Sequence, residues 1–295
     1  MKLIIGSVHF GMPYGLKELN PIDISEITKI LDYSYNNNIN FIDTAVSYRD
    51  SESKIGKYKF SYNFNIISKI PEYFNSSKDI DSYKYWFNEQ VILSKQRLQI
   101  DSFYAFLFHQ PSDIFLFDIK SIRSFLDDQK KIHGINKLGI SVYSPEEAMK
   151  ALSIYRFELI QFPFNIFDRR FEESGFLKYA KSLGIEMHAR SIFLQGTLIN
   201  IDHNSNLYKS FSKEYSSWFK FVNDNKVSSQ AAAINFIKMY KDIDAVVIGV
   251  RSLKELMEIT DIIRSLKKQE SLKYYPSKLS SNNEELINPS FWSLL

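Results

Sequence analysis

The amino-acid sequence predicts an α/β fold: a single closed barrel of eight strand-then-helix units, (β/α)8, the TIM-barrel plan. Short β-branched or aromatic runs recur along all 295 residues, and stretches with helical spacing separate them. No Pro- or Ser-rich linker divides the units, and eight units of this total length suit a barrel better than an open doubly wound sheet. The barrel is assigned to residues 1–270 and a C-terminal tail to 271–295.

The strands are expected at LIIGSV from Leu3, NFIDTA from Asn40, NIISKI from Asn65, FYAFLF from Phe103, NKLGIS from Asn136, ELIQF from Glu158, EMHAR from Glu186 and DAVVIGV from Asp244. Helices are expected at 25–37, 51–58, 80–98, 113–132, 145–154, 172–183, 230–241 and 253–268. In the first helix Ile24, Ile27, Leu31 and Tyr35 share one face, and Asp23 or Ser25 is available as a cap. Two segments depart from the repeat. Residues 192–229 read as a long polar loop with a short helix around 211–221, the kind of insertion that forms lids or binding loops. The tail is polar and then aromatic, ending NPSFWSLL, and either folds over a barrel mouth or stays disordered.

Composition narrows the function classes. Hydrophobic residues make up 44%, with 24 Phe and 18 Tyr, ample for a large core. Lys and Arg number 37 against 34 acids, a formal charge of +3 dispersed along the chain. That balance argues against general nucleic-acid binding but not against one anionic ligand. The absence of cysteine removes disulfides, thiolate zinc sites and cysteine nucleophiles. The opening MKLIIGSVHFG is too short an apolar run for a signal peptide, and no segment approaches ~18 uninterrupted apolar residues. A cytoplasmic protein without a membrane partner is expected; nothing fixes an oligomeric state.

No two glycines are separated by one residue, which excludes G-x-G-x-x-G, and neither Walker A nor G-x-S-x-G occurs. No H-E-x-x-H is present and the five histidines are scattered, so no metal site is expected. What remains is position: Asp43 and Tyr48 follow the second strand, Lys69 ends the third, and His109 follows the fourth, where a barrel carries its active site. Each alone has a plainer reading: Asp43 a loop acid or cap, Lys69 a snorkelling side chain, His109 a core histidine, Tyr48 surface packing. Together, adjacent strands aim four polar groups at one volume. A nearby ammonium would favour phenolate at Tyr48, Asp43 would hold Lys69 charged, and His109 could donate to a substrate oxygen.

FIDTAVSYRDSESKIG, IISKI and FLFHQP, in this order, resemble the aldo-keto reductase superfamily, and the resemblance runs from Gly6 to about Glu258. It implies that Asp43, Tyr48, Lys69 and His109 form a catalytic tetrad, with Tyr48 the general acid of carbonyl reduction. It also implies cofactor contacts: Ser141, Gln161 and Asn165 at the nicotinamide; Arg190, Ser191, Leu194, Gln195 and Gly196 after the seventh strand; and Ile248, Gly249, Val250, Arg251, Ser252 and Glu258 after the eighth. NADPH is the expected cofactor, with NADH as the other choice, because Arg251 and Lys254 would suit a 2′-phosphate. The chain departs from the family pattern in having Arg49 where glycine usually follows the tyrosine. Val142 and Ile259 stand in place of common asparagines, and Arg190 in place of an aromatic. VHFGMPYG and ARSIFLQGTL are similar to a bacterial branch associated with surface polysaccharide or sugar metabolism, implying a small-molecule, sugar-like carbonyl substrate. Two alternatives stay open on residues alone: a lyase or aldolase forming a Schiff base on Lys69, and a regulatory barrel that holds NADPH with little turnover.

Overall fold

A computed structural model of the chain describes residues 1–15, 19–59, 63–74, 79–266 and 272–294. Eight parallel strands close into a barrel in sequence order. They are β1 (Lys2–Gly6), β2 (Phe41–Asp43), β3 (Asn65–Ile70), β4 (Phe103–Phe108), β5 (Ile135–Ser141), β6 (Leu159–Pro163), β7 (Glu186–Arg190) and β8 (Ala245–Gly249). The helices in chain order are α1 (Val8–Gly11), α2 (Ile24–Asn36), α3 (Ser51–Gly56), α4 (Ile80–Leu98), α5 (Ile119–Ile132), α6 (Pro145–Ile154), α7 (Arg170–Glu173), α8 (Phe176–Ser182), α9 (Asn206–Ser210), α10 (Ser212–Asp224), α11 (Ser229–Lys238), α12 (Leu253–Ser265) and α13 (Glu284–Ile287).

Strand alternation decides what enters the barrel. Ile4, Ile67, Ala105, Leu107, Leu159 and Ala245 form an interior cluster, while Ile5, Ile42, Ile66, Ile70, Leu138, Ile160 and Met187 pack outward beneath the helices. Two residues beyond Ile67 comes Lys69, and two beyond Leu159 comes Gln161, so the same faces that carry the apolar interior deliver polar groups to the C-terminal mouth. At the opposite end Glu186 accepts hydrogen bonds from Tyr104 Oη at 2.6 Å, His188 Nε2 at 3.0 Å and Lys2 Nζ at 3.4 Å, and from Lys137. This polar floor was not foreseen; EMHAR reads only as a strand.

Several expectations are corrected. The helix expected at 113–132 begins as a 3-10 turn, Pro111–Phe115, and α5 starts afresh after Asp118, whose carboxylate caps Ser121 N at 2.9 Å. The helix at 172–183 divides into α7 and α8 at Gly175, whose φ of 77° lies in the left-handed region. In α2 the buried face is Ile27, Ile30, Leu31 and Ser34, with Ile24 and Tyr35 on the outside. Asp23 stands at the cap position without a side-chain bond. The last expected helix ends at Ser265; residues 267 and 268 lie outside the described residues.

Residues 192–229 contain the expected short helix, as α10, but the segment as a whole is mostly helical and not a polar loop. Ile192, Leu194, Leu198, Ile201, Leu207, Phe211, Tyr215, Trp218 and Val222 are buried there, and Trp218 Nε1 donates to Leu198 O at 2.8 Å. The apolar residues stand at irregular intervals, so the segment reads as polar although its inner side is not. In the tail, Tyr275 packs on Phe221 and Phe236 and bonds Ala232 O, Ser281 N donates to Phe167 O, and Leu286, Ile287 and Trp292 are buried. Among the described residues no helix is long and apolar enough to cross a membrane.

Candidate active site

Asp43 closes β2 pointing inward, in register with Gly6 of β1 and Ile67 of β3. Lys69 Nζ donates to Asp43 Oδ1 at 2.5 Å and to Thr44 O at 3.0 Å, with the lysine 1% exposed. Gln161 Nε2 donates to Asp43 Oδ2 at 2.7 Å. Both carboxylate oxygens are therefore used, as a buried charge requires.

The chain after β2 is tied down by Thr44 N to Ile67 O, Val46 N to Lys69 O and Tyr48 N to Ala45 O. It then turns through Arg49 into α3. Arg49 takes a φ of 49° although it is not glycine, at a cost of about 1–2 kcal/mol. The turn packs on Gly11: a Cβ there would lie 1.8 Å from Tyr48 O and 2.5 Å from Ser51 N. Glycine at position 11 is thus what lets the Tyr48 turn pack this closely against α1.

The Tyr48 ring lies 5.3 Å from Lys69 Nζ and edge-on to the His109 ring at 5.8 Å. His109 Nδ1 is 3.2 Å from Ser47 Oγ; with the serine hydroxyl donating, the neutral ring carries its proton on Nε2. Burial first, then the charges of Lys69 and Arg190, hold His109 down to about 3, so it is a neutral donor at neutral pH. Burial pushes the Tyr48 phenol up, Asp43 adds to that, and Arg190 opposes it. This reverses the sequence argument that Lys69 makes the phenol more acidic: the ammonium is matched by Asp43 at contact distance, and desolvation of the phenolate dominates. Lys69 itself is lowered by burial, against the pull of Asp43.

The remaining expected residues divide. Ser141 and Gln161 are register partners at the mouth, both buried. Asn165 is spent on structure: Oδ1 accepts from Phe167 N and Asp168 N, and Nδ2 donates to Ser191 O at 3.2 Å. Arg190 ends β7, stacks on Tyr143 at 4.4 Å and donates to Val142 O. Ser191, Leu194 and Gln195 all take positive φ (58°, 46° and 51°), followed by Gly196 at 89°, a strained run of the kind found at binding sites. Gln195 Nε2 reaches Tyr14 Oη at 3.4 Å, joining this loop to the one after β1. Ile248 and Val250 are buried, and Gly249 is exposed beside Gly6, its register partner. Arg251 donates to His9 Nδ1 at 3.0 Å and Asn20 O at 2.8 Å, Ser252 caps α12, and Glu258 lies 3.9 Å from Lys254. Val142 and Ile259 are buried packing residues. Sequence reasoning missed Tyr14, Ser47 and Tyr143 at the mouth; their local spacing carries no signal until loops from β1, β2, β5 and β7 meet.

A parallel barrel whose C-terminal mouth collects a buried ion pair, a phenol and a neutral imidazole defines an enzyme of the proton-transferring kind. The model of the aldo/keto reductase family matches residues 2–278, and the chain belongs to that family. It is an NAD(P)H-dependent oxidoreductase acting on carbonyl or alcohol groups. Solved structures share the fold. A putative aldo-keto reductase of Pseudomonas aeruginosa is 20% identical over 90% of each chain, with a TM-score of 0.66. An aldo-keto reductase of Bacillus halodurans in its holo form is 18% identical over 92% of this chain and 88% of its own, with a TM-score of 0.71. The glycerol dehydrogenase of Gluconobacter oxydans is 17% identical over 93% and 95%, with a TM-score of 0.66. No curated protein sequence matches the chain at a significant level.

Proposed function

We propose that the protein reduces an aldehyde or ketone to an alcohol, with Tyr48 as proton donor, His109 as the second donor to the carbonyl oxygen, and Asp43–Lys69 as the pair that positions Tyr48. The observation that carries this is the 2.5 Å Lys69–Asp43 contact buried beneath the Tyr48 ring. A nicotinamide cofactor supplies the hydride when bound. Features around the mouth fit such a group: Gly6 and Gly249 keep adjoining strand ends free of side chains, and a positive-φ run follows β7.

Two neutral donors, Tyr48 Oη–H and His109 Nε2–H, suit an oxygen that gains negative charge as reduction proceeds. The raised phenol is fully protonated at neutral pH and can pass its proton to the developing alkoxide. Alcohol oxidation needs the phenolate instead, so oxidation should accelerate as pH rises. Lys69, charged against Asp43 and hydrogen-bonded to Thr44 O, lacks the free amine that a Schiff base needs, which weighs against the lyase reading. Tyr48→Phe tests the assignment: turnover should be lost while dinucleotide binding persists, and wild-type rates in that variant would refute it.

A sugar-like substrate finds support at the rim. Phe74 and Tyr85, 88% and 71% exposed, line a groove of about 830 Å³ with Glu72, Asp79 and Asp81, just beyond the end of β3. Aromatic faces and carboxylates match the apolar C–H face and the hydroxyls of a polyol. Tyr85→Ala should raise KM for a polyhydroxylated aldehyde and leave KM for benzaldehyde unchanged; equal effects on both would remove the groove from the substrate site.

A further inference from the structure

In (β/α)8 barrels phosphate groups frequently bind at the loops after the seventh and eighth strands, on a helix N-terminus whose amides are free. The N-terminus of α12 has the right place in the fold, but its donors are already in use. Leu253 N donates to Glu26 Oε1 at 2.7 Å, a carboxylate brought across from α2 whose Oε2 is held by Lys29 Nζ at 3.0 Å. Arg251 N donates to Glu255 Oε2 at 2.7 Å, and Glu255 N donates to Ser252 Oγ at 3.2 Å. The cation expected to meet a 2′-phosphate is also engaged, since both terminal nitrogens of Arg251 are bonded, to His9 Nδ1 and Asn20 O. His9, held down to about 4 by burial and by Arg251, adds no charge. Lys254 extends into solvent, its side chain 87% exposed.

A phosphate dianion entering here would have to displace two carboxylates or sit among them, and like charges in contact are costly. A ribose with a free 2′-hydroxyl can instead donate to such a carboxylate, as it does to the acidic residue of NAD-binding sites. We infer that the adenosine end of this site selects the dinucleotide without a 2′-phosphate, so that the enzyme takes NADH in preference to NADPH, with Glu26 and Glu255 as the selecting residues. The inference rests on the dinucleotide reading of the mouth proposed above and departs from the NADPH expectation of the sequence.

Equilibrium titration of the purified protein, following quenching of its intrinsic fluorescence and confirmed by calorimetry, tests it without turnover. NADH should bind at least about tenfold more tightly than NADPH, a difference of about 1.4 kcal/mol. Glu26→Gln, and Glu26→Gln combined with Glu255→Gln, should tighten NADPH binding without tightening NADH binding, with circular dichroism melts confirming that each variant is folded. Arg251→Ala should leave NADPH affinity within about twofold of wild type. Tighter NADPH than NADH binding by the wild type, or a tenfold loss of NADPH affinity in Arg251→Ala, would overturn the inference while leaving the reductase reading intact. Binding of neither dinucleotide would overturn both.

Discussion

Replacing Asp43 by Asn removes the negative charge from a pair whose lysine is 1% exposed, and leaves an ammonium with only Thr44 O and a neutral amide for company. Removing one partner of a buried ion pair generally costs about 3–5 kcal/mol. A ceiling comes from the lysine's escape route: deprotonating an ordinary lysine of pKa ~10.4 at pH 7 costs about 4.6 kcal/mol, at ~1.4 kcal/mol per pH unit. We expect Asp43→Asn to lose about 3–4.5 kcal/mol at pH 7, a large part of a typical ~5–15 kcal/mol stability. The sign of the pH dependence follows. In the variant the folded lysine is driven neutral while the unfolded one stays protonated up to about pH 10, so the unfolded state holds the extra proton and stability rises with pH at about 1.4 kcal/mol per unit. The deficit against wild type should therefore shrink between pH 7 and 9. Urea unfolding of both proteins at pH 7, 8 and 9, by linear extrapolation, measures it. A loss below about 1 kcal/mol at pH 7, or a deficit that does not change with pH, would refute the buried-charge argument.

Gly11→Ala places a carbon 1.8 Å from Tyr48 O, so the Tyr48 turn must shift; kcat should fall roughly 10²-fold, the usual consequence of an ångström-scale misplacement, and an unchanged kcat would show that the turn is not what seats the phenol. Acid should destabilise the protein. His9 and His109, held down to about 4 and about 3, remain neutral when folded and gain protons on unfolding below pH ~6.5, which costs stability as pH falls toward 4. Asp113, raised by burial to about 6, opposes them, because its folded carboxyl keeps a proton that the unfolded chain releases above ~3.9. These three groups together give about one proton, or ~1.4 kcal/mol per pH unit near pH 5, and His109→Gln should reduce the slope in urea titrations.

All eight strands were legible to within a few residues, because runs such as FYAFLF and NIISKI are buried on both faces and stand out against any background. Helices 80–98 and 145–154 were readable to the residue, each with a side-chain cap at its start. Where sequence reasoning failed, a local cap or a tertiary contact had overridden the pattern. The helix expected from 113 was broken by the cap at Asp118, and the supposed polar loop 192–229 folded its scattered apolar residues inward. The four polar groups at strand ends were found by counting strands, but the electrostatics at Tyr48 could not be. Whether an ammonium acidifies a phenol depends on what else touches that ammonium, and Asp43 touches it at 2.5 Å.

The sequence by itself determined the barrel, the strand on which each polar group rides and the family, since alternation and element order are local properties of the chain. The tertiary structure alone decided the state of those groups. Glu26 caps a helix 227 residues away, and Gln161 reaches Asp43 across 118 residues. Free or spent donors at the two ends of a cofactor site follow from such distant pairings, because a hydrogen bond depends on separation in space and no one-dimensional spacing encodes it.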